Sequence, residues 1–368
     1  MTIEDIALLY VQGLGARGAA HLVDHYGSAE AVYSASVGEL VADMGLRKDI
    51  AEGIVNGEGI TMAKREVEYC RKHSICMVAA TDREYPAPLR ETLDRPHVLF
   101  VKGDLESLSR PTLSMVGTRE MSPSGQHITN RLVEDLASEV GGFTLVSGIA
   151  YGIDATVHRA AIAHKVPSVA VLANALPEVN PTPHRQLAED ILKNGGALIS
   201  ELTSQSRQNG KHFIARNRII AGLSMGVVVV ESQASGGSLS TASLADGYGR
   251  TVMAVPGRIT DTTSFGTNNL IRTGMARLIL TAKDIISDMD WERYCVKETG
   301  GSKEEVAVHN FDANELRVFE QFDAAEQLDI QELMAATGLT IGQLMMTLMG
   351  LELKGVIRTL PGQRYERI

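Results

Sequence analysis

The chain is poor in cysteine and has no apolar run long enough for a membrane. Its three cysteines, Cys70, Cys76 and Cys295, are odd in number and scattered, with no CxxC and no Cys/His pair at metal-ligand spacing. That pattern speaks against a disulfide framework and a zinc site, and a reducing, cytoplasmic setting is expected. No stretch approaches the ~20 apolar residues that a bilayer requires. The opening residues MTIEDIALLY carry acids and no basic run. Neither a membrane partner nor a secretory leader is therefore expected. GxGxxG, P-loop, HExxH and GxSxG patterns are all missing, which removes the sequence case for a nicotinamide or flavin cofactor and for the commonest hydrolases. The most telling absence is local. No Asp or Glu occurs between Glu201 and Glu231, although the formal net charge of the chain is -10.

That acid-free window holds KHFIARNRIIAGLS, residues 211–224. A Lys, a His and two Arg surround Phe213 before the segment turns apolar. A basic island on an acidic chain calls for an anionic partner confined to one face, and an aromatic among the cations suits one with flat bases as well as phosphates. The plainer alternative is a basic helix start with Phe213 in the core.

At 368 residues the chain has room for several domains. Residues 1–70 read as short helices, with Gly13-Leu14-Gly15 and Gly45-Leu46 as turns of a helix-hairpin-helix type that can hold a phosphate or serve only for packing. Residues 71–292 alternate apolar strands with amphipathic helices. Strands are expected at 75–80, 97–103, 112–118, 143–148, 167–173, 197–201, 225–231, 251–257 and 276–280, with helices at 123–140, 153–164, 184–194 and 238–248. Continuous apolar runs suit strands buried on both faces, so a doubly wound, mostly parallel, Rossmann-like sheet is predicted. Residues 293–310 read as a linker. Residues 311–368 read as three helices and a hairpin around Pro361-Gly362, a winged helix. Its third helix offers Gln343, Met345, Met346 and Met349 and no cation before Lys354, which fits protein contact better than groove reading.

Three glycine turns follow strands, where anions bind in such sheets. MVGTRE (115–120) supplies Gly117 for a tight turn, Thr118 for a hydroxyl and Arg119 to fork onto a phosphate. SGIAYGID (147–154) opens a helix with Asp154 in its first turn, a placement that is commonly structural. ESQASGGSLSTASLADG (231–247) sets Gly236-Gly237-Ser238 at another helix start. His158, His164 and His184 have no nucleophile motif beside them, and Glu201 and Glu231 are lone carboxylates at strand ends. Anion-binding turns without an attacking group favour a binding protein over an enzyme.

Together MVGTRE, VSGIAYGID, the ISE at 199–201, FIARNRIIAGLS, VVVVESQASGGSLSTA, the AVPG at 254–257 and the GTNNLIRTG at 266–274 resemble the DNA-processing protein A family (DprA/Smf). These are bacterial proteins that bind single-stranded DNA and load the recombinase RecA on it. The resemblance covers the α/β region in order and spacing, and the flanking helical and winged-helix segments are also family features. It implies no cofactor, a homodimer, a role in natural transformation and recombination, and single-stranded DNA and RecA as partners. The DNA-binding positions it implies are Gly117, Thr118, Arg119, Ser147, Gly148, Lys211 (with Arg207 as a substitute), Phe213, Arg216, Asn217 and Arg218. The chain departs from the family at Ile214, where a Pro is usual, and at ANALPEVNPTPHR (173–185), which replaces a Gly-rich, Tyr-Pro-containing loop. SGGSLSTA also looks like the phosphate loop of nucleoside-monophosphate phosphoribohydrolases. Those carry a Glu soon after the glycines, and Ser238, Leu239, Ser240, Thr241, Ala242 and Ser243 stand here instead.

Overall fold

The computed structural model describes residues 1–207, 209–295, 312–323, 327–353, 356–360 and 364–367. The chain divides into two compact units, Met1–Val296 and Lys297–Ile368. Most of the expected linker at 293–310 lies outside the described residues, as do Lys354 and Pro361-Gly362.

The first unit opens with six helices: α1 (Ile3–Ala7), α2 (Gly15–Tyr26), α3 (Ala29–Ser34), α4 (Val37–Met44), α5 (Lys48–Val55) and α6 (Ile60–Lys72). Ser28 and Ser36 each accept a backbone amide at a helix start, which fixes where α3 and α4 begin. Leu8, Leu22, Val32, Leu40, Ile50 and Ile54 form the apolar centre of this helical part.

A nine-stranded sheet follows. Its strands are β1 (Cys76–Ala79), β2 (Val98–Gly103), β3 (Thr112–Val116), β4 (Thr144–Ser147), β5 (Ser168–Val171), β6 (Ala197–Ser200), β7 (Gly226–Val229), β8 (Thr251–Ala254) and β9 (Arg277–Leu278). The order is β1-β2-β6-β5-β4-β3-β7-β8-β9. Only β2 runs against the others, pairing antiparallel with β1 and β6, and every other pairing is parallel. The helices of this part are α7 (Ala87–Arg90), α8 (Pro123–Glu139), α9 (Ile153–Ala163), α10 (Arg185–Lys193), α11 (Gly210–Leu223), α12 (Gly237–Gly247), α13 (Phe265–Arg272) and α14 (Ala282–Asp288).

Strand periodicity explains why both faces are covered. Val116, Val146 and Val229 join Ile219, Ile220, Ala242 and Leu270 in one apolar layer. Their neighbours Met115, Leu145 and Val228 point the other way and join Leu132, Leu136, Val157 and Ile285. The predicted doubly wound sheet is the observed one, and all nine expected strands are in it. From β3 the chain winds outward through β4, β5 and β6, then returns across α11 to place β7 on the other flank of β3. The carboxyl ends of β3 and β7 therefore form the switch point, where open α/β sheets keep their ligand crevice.

The second unit contains α15 (Ala313–Phe319), α16 (Ile330–Thr337), α17 (Ile341–Leu353) and a small sheet of order β10-β12-β11, with β10 (Gln327–Asp329), β11 (Ile357–Leu360) and β12 (Arg364–Arg367). Val318, Leu333, Leu344, Leu348, Leu351 and Tyr365 form its core. This is the expected winged helix, with β10 added to the two foreseen strands. Met345, Met346 and Met349 are exposed on α17. No single helix among the described residues is long and apolar enough to cross a membrane.

Candidate nucleic-acid interface

A cleft of about 350 Å³ lies at the switch point. The turn after β3 forms one wall. Thr118 donates its amide to the Glu231 carbonyl at 2.8 Å, so this turn is stitched to the end of β7. A side chain at Gly117 would put its Cβ 2.5 Å from Ile153, which only glycine avoids. Arg119 follows, exposed, with its guanidinium carbon 5.6 Å from the Phe213 ring centre. That is cation–π distance.

The start of α12 forms the facing wall. Gly236 caps it with no side-chain hydrogen bond, so its first amides stay open to an anion. Asn217 donates to the Gly237 carbonyl at 3.2 Å and holds this turn against α11.

Helix α11 supplies the third wall. Asn209 caps it by accepting the Lys211 amide at 3.0 Å, and no acid stands in its first turn, so the positive helix end adds to the cations. Two hydroxyls of β3 hold its far end, Thr112 on the Leu223 carbonyl at 2.6 Å and Ser114 on the Ile220 carbonyl at 2.9 Å. Its lead-in segment is gripped from the helical part. The buried Glu66 of α6 accepts the Ser204 amide at 2.8 Å, the Ser204 hydroxyl at 2.5 Å and the Tyr10 hydroxyl at 2.7 Å.

The ten positions named from the sequence occupy three different surroundings. Gly117, Thr118, Arg119 and the half-buried Phe213 meet at the cleft. Lys211 stands exposed on the first turn of α11, outside the residues lining the cleft, and Arg207 is exposed just before it. Ser147 and Gly148 are buried, and the buried Arg216 and Asn217 line the floor of the cleft. Ser147 spends its hydroxyl on the Met115 carbonyl at 2.7 Å. Arg216 donates to the carbonyls of Gly148 at 2.6 Å and Val171 at 2.5 Å, and any side chain at position 148 would collide with its guanidinium. Burial pulls the Arg216 pKa down while Asp154 pulls it up, and burial raises the Asp154 pKa against the pull of Arg216. Arg218 is mostly buried and bonded to the Glu201 carboxylate and the Asp94 carbonyl. Ile214, where the family's proline is missing, is 66% exposed.

Glu231 holds the cleft together by accepting the Ser122 amide at 2.9 Å and the Ser122 hydroxyl at 2.5 Å. Burial leaves His158 neutral, with its pKa lowered to about 3 and Nδ1 3.0 Å from the Ser168 hydroxyl. Among the described residues no cluster of His, Cys, Asp and Glu could hold a metal. Sequence reasoning missed Tyr151, which is 49% exposed beside the cleft. Its ring sat unassigned inside SGIAYGID. It also missed Glu66, for which no local signal exists.

A doubly wound sheet whose switch-point cleft joins open amides, an exposed arginine and an accessible aromatic ring defines a Rossmann-like protein with a cleft suited to an anion. Residues 76–290 match the family model described as DNA recombination-mediator protein A, and residues 304–363 match the DprA winged helix domain. The chain belongs to the DprA/Smf family. It is 37% identical over 251 residues to Protein Smf of Escherichia coli, spanning 65% of this chain and 66% of that protein. It is also 37% identical over 220 residues to DNA processing protein DprA of Bacillus subtilis, spanning 60% and 73%. The X-ray structure of DprA from Streptococcus pneumoniae superposes with a TM-score of 0.68 at 29% identity, covering 78% of this chain and 98% of that one. A Helicobacter pylori structure described by its single-stranded DNA binding mode gives 0.52 at 26% identity, covering 60% and 97%.

Proposed function

We propose that the protein binds and protects single-stranded DNA at the switch-point cleft and loads a RecA recombinase on it during natural transformation or recombination. Arg119 and Lys211 contact phosphates in this reading, the amides at the start of α12 donate to further phosphate oxygens, and Phe213 stacks on a base. The observation that carries it is the pairing of Arg119 with the accessible Phe213 ring at the mouth of that cleft. A cation and a π-face side by side suit a strand that offers phosphate and unpaired base together. The buried Arg216, Asn217, Ser147 and Gly148, and the ion-paired Arg218, act through the shape of the cleft. The solved Helicobacter pylori relative, described by its single-stranded DNA binding mode, supports this ligand.

The protein works as a homodimer through the α/β part and as a binding protein without catalysis. Leu278 on edge strand β9, with Leu280, Ile259 and Phe265 nearby in sequence, is an exposed apolar residue that a second copy can cover. The exposed methionines of α17 suit a protein contact. Fluorescence anisotropy with matched single-stranded and duplex oligonucleotides at two salt concentrations tests the main reading. Preference for the single strand, weakened by Arg119→Ala, is expected. Equal affinity for duplex, or no effect of Arg119→Ala, would overturn it.

A nucleoside-monophosphate hydrolase is the second reading, because Asp154 borders the same cleft. Incubation with AMP-type nucleotides separates the two. Release of free base that Asp154→Asn abolishes would favour hydrolysis.

A further inference from the structure

A smaller cavity of about 140 Å³ adjoins the cleft. Arg119, Ala150, Phe213 and Arg216 line both, so the two cavities meet across these residues, with Arg119 and Phe213 on the partition. The far side of the small cavity carries Tyr151, Asn180 and Pro181, and no acidic residue lines it.

Three features suit this cavity to a planar, uncharged group next to a phosphate. Tyr151 is 49% exposed, yet its ring has a fixed backing, His184 lying edge-on at 4.9 Å. His184 is itself buried and bonded through Nδ1 to the Ile149 carbonyl at 2.7 Å. The turn that presents Tyr151 is strained, since Ile149 adopts φ +56. A buried β-branched residue rarely takes that conformation, and it persists only where neighbours over-determine it. Here His184 holds the Ile149 carbonyl and Arg216 the preceding Gly148 carbonyl. Finally, the Asn180 side-chain amide has no partner among the described residues. It keeps a donor and an acceptor to offer a base edge.

We propose that Tyr151, Phe213 and Asn180 form a second nucleobase subsite, which takes a base of the same single strand that occupies the main cleft. Tyr151 stacks, Asn180 meets the base edge, and Arg119 on the partition holds the phosphate between the two bases. The proposal rests on the single-stranded DNA reading and extends it.

The test uses the full chain with fluorescein-labelled oligo-dT. Loss of one stacking ring is worth roughly 1–3 kcal/mol. Tyr151→Ala should therefore weaken binding about 5- to 150-fold with an unchanged salt slope, and Tyr151→Phe, which keeps the ring, should restore it. A direct readout comes from Tyr151→Trp. The native chain has one tryptophan, Trp291, which is buried and serves as the blank. Emission from Tyr151→Trp should be quenched by oligo-dT while that of the native protein stays constant. Native binding that Arg119→Ala weakens, combined with no quenching and less than twofold loss in Tyr151→Ala, would overturn the subsite and leave the main reading intact. Absence of oligo-dT binding by the native protein would overturn both.

Discussion

Two consecutive stretches of α11 carry the same kind of residue and do opposite things. In the first turn Lys211 is exposed and Phe213 half-exposed, with Arg119 against its ring. One turn later Arg216 is buried on two backbone carbonyls, and Arg218 is locked to Glu201 and the Asp94 carbonyl. All of these cations read alike in the sequence. What separates them is where their N–H groups end. A guanidinium has five donors, and burial is tolerable only when carbonyls and carboxylates meet them. The first turn therefore leaves its cation exposed, and the second has its charged groups bonded within the fold.

The comparison breaks most visibly at Arg216. Arg216→Met removes the donors on the Gly148 and Val171 carbonyls and leaves Asp154 buried without its compensating cation. A loss of roughly 1–3 kcal/mol of stability for each buried carbonyl left unpaired is expected by denaturant or thermal unfolding. Adding Asp154→Asn should recover part of it. Unchanged stability in Arg216→Met would place its charge in the ligand-binding half instead.

Phe213 sharpens the comparison from the other side. Phe213→Ala should cost roughly 1–3 kcal/mol in oligo-dT affinity. Its melting temperature should fall by less than deletion of a core Phe, about 3–5 kcal/mol, would cause. A large fall in melting temperature with intact affinity would make it a core residue.

His158 reports on the dry surroundings of the buried half. Burial is the main cause of its lowered pKa, and the positive charge of Arg216 contributes. The folded pKa lies near 3 and the unfolded one near 6.5, so between these values only the unfolded chain takes up the proton. Stability from this group is complete above about pH 6.5 and is lost as pH falls, by up to about 1.4 kcal/mol per unit. The slope of unfolding free energy between pH 6.5 and 5 should accordingly be shallower in His158→Leu than in the native protein. Identical slopes would show that His158 does not stay neutral in the fold.

Much of this fold was legible because its strands are apolar on both faces, so runs such as GVVVV at 226–230 stand out from the amphipathic helices between them. Among the strands of the described residues only the three-residue β10 escaped, being too short for periodicity to register. The position of the cleft's rim was legible too, since Gly117, Thr118 and Arg119 stand directly after a strand. The floor was not. Nothing near Arg216 in sequence shows that it will meet the carbonyls of Gly148 and Val171, at the ends of β4 and β5. Likewise, the grip of Glu66 on Ser204 joins residues 138 positions apart. Tyr151 was passed over because its surroundings, His184, Asn180 and Pro181, are brought to it only by the winding of the sheet.

The most direct test of the division within α11 is the salt dependence of oligo-dT binding for the native protein, Lys211→Ala and Arg218→Ala. Each phosphate contact adds about -0.7 to the slope of log K against log salt for single strands. Lys211→Ala should flatten the slope by about that amount while keeping the native melting temperature, and Arg218→Ala should keep the native slope while losing stability. The same flattening in both variants, or flattening in Arg218→Ala alone, would contradict the account.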